Sequence, residues 1–311
     1  MKMKKLIIRL ITFLPIAAIC YVAMIWLLGD MGWVRNGKME MGDYGHLNTR
    51  VKDVRNYKDI DILFLGSSHC YRTFDTRFYR QQGFSCFNLG SSNQTPMQTY
   101  VLLKQYLDSL NPKFIVFEVH PDIMKNDGVE SGINLLANVP LSREAVNMAY
   151  KLNNMKVWNT LIHSFYDQKI CRRLADFSED TVMGAYVYVP GGFCQVDTNE
   201  FQVKRYPKTL IYLYDQQLIA LQKCIKLFTD RNIPYLLVEV QDAEQLRTAY
   251  TNHDSFEQQM QLLGPYRYKV LPMVDTIHFF NSNHLDKPGI EMFNNDLVED
   301  LVDLDVLKLG S

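Results

Sequence analysis

Two short polar blocks near opposite ends of the chain contain residue types that can form a nucleophile and its base. The first, Gly66–His69 with the sequence Gly-Ser-Ser-His, directly follows the apolar run Ile62–Leu65. An apolar run of this length predicts a buried strand, and ligands of an open α/β sheet gather at the carboxyl ends of its strands. Ser68 is therefore the candidate nucleophile. The alternative is that Ser67 and Ser68 only cap the following helix, as serine often does.

The second block, Phe279–Gly289, contains His284 in a polar loop ahead of a helix that begins near Pro288. A serine becomes nucleophilic when a base lies within hydrogen-bond reach, most often a histidine oriented by a third group. Together the blocks resemble the SGNH/GDSL hydrolase superfamily, in which a Gly-Asp-Ser or Gly-Ser-Ser block follows the first strand and a late Asp-x-x-His-Leu block supplies acid and base. The resemblance covers residues 59–303. It implies serine esterase or O-acyltransferase chemistry.

The residue three positions before His284 departs from this pattern, because Asn281 stands where the family has aspartate. Three hypotheses follow. Asn281 orients His284 through its amide oxygen, another acid such as Asp275 or Asp286 takes that role, or the site is catalytically silent.

The resemblance also implies an oxyanion hole. Gly90 follows the second predicted strand, at residues 84–89, where the family uses a glycine N–H. The alternative is an ordinary turn between strand and helix. The family's third block, Gly-x-Asn-Asp, is replaced here by Glu118–Asp122, and His120 is the best substitute for the missing asparagine. Glu118 is costly to bury in an apolar strand unless it is paired.

The alternation of strands and helices predicts an α/β fold with a doubly wound, mostly parallel five-stranded sheet in a domain over residues 59–305. The predicted strands are 62–65, 84–89, 113–121, 233–240 and 268–274, and the predicted helices are 74–79, 95–110, 210–231, 243–263 and 287–304. A helical insertion at about residues 125–207 is expected to form a cap over the carboxyl edge of the sheet.

The amino terminus predicts a membrane anchor ahead of this domain. Residues 1–9 are basic and residues 10–28 carry no charge, which is enough to span about 30 Å of hydrocarbon as a helix. By the positive-inside rule, residues 1–9 are cytoplasmic and the chain after Trp33 is extracytoplasmic. Residues 29–58 are predicted to connect the membrane helix to the domain. The alternative is a cleavable signal peptide, although no clean small-x-small cleavage site follows the apolar run.

The composition and net charge of the chain argue against several classes of function. The net charge of −1 and the lack of an arginine-rich stripe argue against nucleic-acid binding. The six cysteines include no Cys-x-x-Cys pair, which argues against a zinc knuckle. Cys171 and Cys194 are the pair to test for a disulfide. For most of the cysteines we expect buried free thiols. The acyl-enzyme route requires no metal and no organic cofactor, so none is predicted.

Two main functional hypotheses remain, beside a third and weaker one of a purely structural anchor protein. The first is a membrane-anchored, extracytoplasmic serine esterase or O-acyltransferase, with an acylated glycan of the cell envelope or a small ester as substrate and other envelope-modification proteins as partners. This substrate class is implied by the resemblance to membrane-anchored family members. The second is a catalytically silent binding or scaffold subunit with the same fold, because fold alone does not determine function.

Overall fold

A computed structural model of the chain describes residues 2–29, 41–42, 45–196 and 201–303. The chain divides into two compact units. The first consists of Met1–Met41 and Gly132–Phe177, and the second of Gly42–Ser131 and Ser178–Ser311. Each unit has its own internal packing.

Fifteen α-helices and ten strands lie within the described residues. The helices are α1 (Lys2–Gly29), α2 (Leu47–Asp53), α3 (Ser68–Thr73), α4 (Thr76–Gln81), α5 (Pro96–Leu110), α6 (Pro121–Met124), α7 (Val129–Asn138), α8 (Arg143–Leu152), α9 (Met155–Phe165), α10 (Arg173–Asp176), α11 (Asp215–Thr229), α12 (Glu244–Arg247), α13 (His253–Leu263), α14 (Asp275–His278) and α15 (Lys287–Asp303). The strands are β1 (Ile62–Leu65), β2 (Cys86–Asn88), β3 (Phe114–Glu118), β4 (Val182–Met183), β5 (Tyr186–Val189), β6 (Phe193–Val196), β7 (Tyr235–Glu239), β8 (Tyr266–Tyr268), β9 (Phe279–Asn281) and β10 (His284–Leu285).

The first unit combines α1 with the helices of the central segment. Met3–Gly29 is long and apolar enough to cross a membrane, with only 6% of its most apolar window buried. Near the end of α1, the Tyr21 hydroxyl donates to Asn159 Oδ1 at 2.5 Å and Trp26 Nε1 donates to the Ile162 carbonyl at 3.1 Å. These two bonds attach the end of the apolar helix to α9. The predicted boundary at Trp33 lies outside the described residues.

The second unit is built on a five-stranded parallel sheet with the order β2-β1-β3-β7-β8. This confirms the predicted α/β fold class. Strand β1 lies in the centre, with β2 on one side and β3 on the other. The chain therefore changes direction across the sheet between β1 and β3, and in such sheets this switch point is where ligands bind, beyond the carboxyl ends of the strands.

The two faces of the sheet are covered by different helices. On one face, Phe64 and Val116 pack with Phe293 and Leu297 of α15 in a continuous buried cluster. On the other face, α5 packs against α11, and the Phe117 ring meets Phe228 edge-on at 6.3 Å. Apolar residues on both faces of β1 and β3 explain why these strands are uninterrupted apolar runs in the sequence.

Two predicted elements differ from the structure. The fifth strand is formed by Tyr266–Tyr268, before the predicted 268–274, because Pro272 interrupts the later apolar run and has no amide hydrogen to donate to a neighbouring strand. The helix predicted at 243–263 is two helices. Between them, the Asn252 side chain forms two hydrogen bonds with the Ile211 backbone, at 2.7 and 2.8 Å, and such bonds compete with helix formation.

The structure also describes part of the predicted connector and all six cysteines. Residues 47–53 of the predicted connector form α2, whose buried Arg50 donates to the Gly192 carbonyl at 2.9 and 3.0 Å. Cys171 and Cys194 form no disulfide, and neither do the buried Cys70, Cys86 and Cys224. The disulfide considered for Cys171 and Cys194 is therefore not formed.

Candidate active site

The turn between β1 and α3 places Ser68 at the switch point of the sheet. Gly66 adopts φ +142°, a backbone conformation that favours glycine. Ser67 is the N-cap of α3, and its hydroxyl oxygen accepts the His69 N–H at 3.2 Å. Ser68 is the first residue of the helix and is 9% exposed. Of the two serines, Ser67 therefore performs the capping role considered above, and the Ser68 hydroxyl is free for another partner.

Glu118, the last residue of β3, holds this turn from the neighbouring strand. Its Oε2 accepts the Ser67 N–H at 2.6 Å and the Ser67 hydroxyl at 2.8 Å. The carboxyl is fully buried, and burial raises its pKa although His120 and the two Ser67 bonds oppose that shift. The buried Glu118 is therefore paired, and its partner is the residue immediately before the candidate nucleophile.

We predict that Gly66→Ala strongly destabilises the protein. A Cβ at this position would lie 2.4 Å from Glu118 Oε2 and 2.7 Å from Glu118 Cβ, so the turn or the carboxyl must move. The cost is expected to reach about 3 kcal/mol or more in the free energy of unfolding, from overpacking together with backbone strain. Urea denaturation measures it.

Gly83→Ala is the matched control, because Gly83 also has a positive φ, +88°, but open space around the position of a Cβ. It isolates the backbone strain, which costs about 1–2 kcal/mol. Equal destabilisation by the two substitutions would show that the contact with Glu118 does not constrain the turn.

The structure brings Ser68 and His284 together, although they lie 216 positions apart in the sequence. The Ser68 Oγ lies 2.8 Å from His284 Nε2, and His284 Nδ1 lies 3.0 Å from Asn281 Oδ1. His284 opens β10, which pairs with β9 antiparallel and places Asn281 opposite His284. The hairpin formed by these two strands thus aligns the third residue with the base.

The backbone determines which tautomer of His284 is present. The N–H groups of Asn283 and His284 both donate to Asn281 Oδ1, at 3.1 and 3.0 Å, so this atom is the amide oxygen. An oxygen accepts, so Nδ1 of His284 must carry the proton, and Nε2 is free to accept the Ser68 hydroxyl proton. Asn281 therefore orients the imidazole as the first of the three hypotheses expects.

The two acids considered as alternatives have other partners. Asp275 Oδ1 accepts the Glu244 N–H at 3.0 Å, and Asp286 Oδ1 accepts the Lys287 N–H at 2.8 Å. Across the described part of the chain, no carboxylate forms a hydrogen bond with His284. Neither acid therefore replaces Asn281 in this arrangement.

Three imidazole rings stack behind Ser68. The His69 ring lies between the other two, with its centroid 4.0 Å from that of His120 and 4.9 Å from that of His284. Burial lowers the pKa of His69 well below its usual value, and the charges of His120 and His284 lower it further. Burial, Arg72 and His120 likewise lower the pKa of His284 well below its usual value. At neutral pH His284 is therefore in its basic form.

We predict that this shift places the acidic limb of the pH profile below pH 6.5. A general base acts only when unprotonated, and a lowered pKa means that His284 takes up its proton at a lower pH than a free histidine, whose pKa is about 6.5. The kcat/KM for a neutral ester should thus stay constant as the pH falls through 6.5.

Folding must be followed in the same buffers. His69 and His284 bind protons more readily in the unfolded chain, so stability also declines as the pH falls below about 6.5. Circular dichroism separates this loss from titration of the site. Half-maximal activity above pH 6.5 in folded protein would contradict the assignment of His284 as base.

The predicted oxyanion donors have other partners in the structure. The Gly90 N–H donates to Asn88 Oδ1 at 3.1 Å. His120 Nε2 lies 3.1 Å from Asp242 Oδ1, and His120 Nδ1 accepts the Asp122 N–H at 3.2 Å. The oxyanion role of His120 therefore does not fit this arrangement, because neither ring nitrogen is free. Ser68 has no hydrogen bond from its own N–H within the described chain, so that group is the donor at hand.

Asp242 and His120 form a buried pair next to the site. Burial alone would lower the pKa of His120, but the carboxylate of Asp242 outweighs it and raises that pKa to about 10. The Asp122 N–H opposes the charged form, since its bond requires an unprotonated Nδ1. Sequence reasoning missed Asp242 and His69. Their positions in the sequence could have indicated both residues, because Asp242 follows the end of β7 and His69 follows Ser68 directly.

The ligand atoms of His69, His120 and Asp242 lie within 4.8 Å of one another, so a metal ion must be considered. A metal on His120 Nε2 would require the proton on Nδ1, where it would face the Asp122 N–H. The rings of His69 and His120 are also nearly parallel, at 11°, so their in-plane lone pairs do not converge. The donor set therefore fits a hydrogen-bonded pair better than a metal site.

Comparisons with known proteins give likenesses only among solved structures. No family model and no curated protein matches the chain. A structure of a candidate acylhydrolase from Bacteroides fragilis matches with 13% identity and a TM-score of 0.31, covering 86% of this chain and 100% of that one. A gut microbial diltiazem-metabolizing enzyme matches with 12% identity and a TM-score of 0.27, covering 78% of this chain and 47% of that one.

Proposed function

We propose that this protein is a serine esterase or O-acyltransferase that acts on acyl esters, with acetyl esters as the first class to test. The observation that carries the proposal is the Ser68 Oγ to His284 Nε2 distance of 2.8 Å, combined with a tautomer that leaves Nε2 ready to accept a proton. This is the hydrogen-bonded pair that activates a serine nucleophile.

The proposed reaction has two halves. Ser68 Oγ attacks the ester carbonyl carbon while its proton passes to His284 Nε2, and the carbonyl oxygen becomes an oxyanion facing the Ser68 N–H. The carbon–oxygen bond to the alcohol then breaks, and the alcohol leaves with the proton from Nε2. Water or a second alcohol repeats these steps on the acyl-serine. The choice between these acceptors decides between hydrolysis and transfer.

Asn281 supports this cycle less strongly than an aspartate would. Its amide oxygen fixes the ring and the tautomer, but it carries no charge to stabilise the imidazolium that forms in each half-reaction. We therefore expect the same sequence of steps as in an enzyme with aspartate at this position, but a lower turnover number.

We further propose that α1 anchors the protein in a membrane with the second unit on the extracytoplasmic side, where an acylated envelope glycan is the substrate. The length and apolar character of Met3–Gly29 and the lysines before it support this topology. Transfer would require an acyl donor, which a partner protein of the envelope could supply. Protease added to spheroplasts, whose cytoplasmic membrane is intact and exposed, should digest the second unit, and its protection there would contradict this orientation.

The experiment that tests the function is acetate release by the anchored protein from 4-nitrophenyl acetate and from O-acetylated polysaccharide, with and without added alcohol. Turnover above the Ser68→Ala background supports the enzyme, and formation of a new ester with the alcohol supports transfer. Activity equal to that background on all substrates would contradict the proposal.

A silent scaffold is the second candidate. The observation that favours it is that Gly90 and His120, the two predicted oxyanion donors, both direct their polar groups to other protein partners. The same acetate-release assay separates the two candidates.

A further inference from the structure

The side chain of Arg72 lies one helical turn beyond the candidate nucleophile. Ser68 and Arg72 are four positions apart on α3, a spacing that places two side chains on the same helix face with Cβ atoms about 5–6 Å apart. The charge of Arg72 also reaches the base, since after burial it is the next cause that lowers the pKa of His284. Arg72 therefore lies on the same helix face as Ser68, and its charge acts on His284.

No carboxylate of the described residues balances the charge of Arg72. Burial opposes that charge, and the side chains of Tyr71 and Tyr186 raise the pKa of Arg72 against this effect. Its guanidinium carbon lies 4.9 Å from the Tyr186 ring centre and 5.5 Å from the Tyr71 ring centre. Its Nε is buried with no hydrogen-bond partner. Within the described ranges, no carboxylate forms a salt bridge with it. The side chain is half-buried, so water compensates only part of this charge.

Other arginines of the same unit show what is missing. The buried Arg50 donates to the Gly192 and Gly45 carbonyls at 2.7 to 3.0 Å, and Arg77 pairs with Asp75 at 2.7 Å. A cation removed from water is costly unless it is paired and hydrogen-bonded. No carboxylate of the described residues pairs with Arg72 and its Nε has no hydrogen-bond partner, so a carboxylate that reached this side chain would form a charge-assisted hydrogen bond.

We infer that Arg72 binds a carboxylate of the substrate, so that the preferred substrate is an ester carrying a carboxylate near the scissile bond. The inference rests on the proposed function of Ser68 and His284 for its catalytic readout. One guanidinium matches a single negative charge, and its planar donors match both oxygens of a carboxylate. The rings of Tyr71 and Tyr186 flank the guanidinium and limit the orientations that it can adopt.

The test compares anionic esters with neutral partners of the same shape. 4-Acetoxybenzoate, paired with its methyl ester, carries the carboxylate on the alcohol side. 4-Nitrophenyl hydrogen succinate, paired with its methyl ester, carries it on the acyl side. The kcat/KM for each is measured with the full-length protein, Arg72→Met and Arg55→Met. Arg55 is exposed and serves as the control for loss of one positive charge.

In the native protein and in Arg55→Met, the kcat/KM for one anionic ester should exceed that for its neutral partner by about tenfold or more. This ratio corresponds to the free energy of a hydrogen bond to a charged group. Arg72→Met should abolish that preference. The pair that shows the effect identifies the side of the ester that carries the carboxylate. No preference in the native protein would overturn the inference while leaving the esterase intact. Equal loss on anionic and neutral esters in Arg72→Met would also overturn it, because it would place Arg72 at the oxyanion.

A binding measurement separates this inference from the proposed function. In a Ser68→Ala background, which cannot form an acyl-enzyme, 4-acetoxybenzoate should raise the Tm more than its methyl ester does. Adding Arg72→Met should remove the difference. A carboxylate-dependent shift without turnover in the native protein would contradict only the esterase, whereas turnover with no such shift and no substrate preference would contradict only the role of Arg72.

Discussion

Replacing Ser68 by alanine is expected to lower the turnover of acetyl esters by at least about 10³-fold, because the substitution removes the atom that forms the covalent intermediate. The fold should be almost unaffected. The Ser68 hydroxyl bonds only to His284 Nε2 within the described chain, and Ser67 supplies the helix cap.

The neighbouring serine provides a crossed control. Ser67→Ala removes the N-cap of α3 and the hydroxyl that donates to Glu118, so it should lower the free energy of unfolding by about 1–2 kcal/mol. Ser109→Ala, at an exposed position, should change neither property. Measuring kcat and the urea midpoint for all three variants separates catalysis from stability. Ester turnover retained in a folded Ser68→Ala would contradict the assignment of the nucleophile.

The second large effect is expected at Asn281. Asn281→Ala removes the acceptor that holds the His284 Nδ1 proton and leaves two backbone N–H groups without it. The imidazole can then rotate or adopt the other tautomer, and kcat should fall by about 10²-fold, within the range for general-base catalysis. Asn295→Ala, an exposed amide on α15, is the matched control.

The opposite change is expected from Asn281→Asp. A carboxylate can accept the same three N–H groups and adds the charge that stabilises the imidazolium. We expect kcat to rise by about tenfold, less than the roughly 10⁴-fold that separates aspartate from asparagine in a serine protease. In that protease asparagine imposes the wrong tautomer, whereas here the backbone already imposes the right one. Unchanged kcat in both Asn281 variants would contradict its role in orienting His284.

The sequence predicted the parts of the site that depend on local patterns. Ser68 follows an apolar strand and His284 lies in a polar loop before the last helix, and parallel strands bring such positions to one edge. The sequence could not show how Asn281 is oriented, because that depends on two backbone N–H groups of the β9–β10 hairpin. Whether Asn281 or another acid contacts His284 therefore depends on this hydrogen-bond geometry, which the sequence does not contain.

The two predicted oxyanion donors, Gly90 and His120, have other partners in the structure for identifiable physical reasons. His120 was predicted at the oxyanion as the substitute for the asparagine missing from the third block, but Asp242, which follows the neighbouring β7, lies within 3.1 Å of it. Gly90 was expected to face the substrate, but the Asn88 side chain captures its N–H. Both outcomes depend on contacts between strands or loops, which periodicity and motif spacing do not encode. The divided helix has the same origin, since it depends on the bonds between Asn252 and the Ile211 backbone. The shifted fifth strand has a local cause instead, because Pro272 interrupts the apolar pattern.

The most direct test of the account is reaction of the purified protein with a fluorophosphonate, followed by peptide mapping. We predict a single covalent adduct on Ser68, absent in Ser68→Ala, strongly slowed in a folded His284→Ala, and unchanged in Ser109→Ala. An unlabelled native protein, or equally fast labelling of Ser68 in His284→Ala, would contradict the claim that Ser68 and His284 form an activated nucleophile.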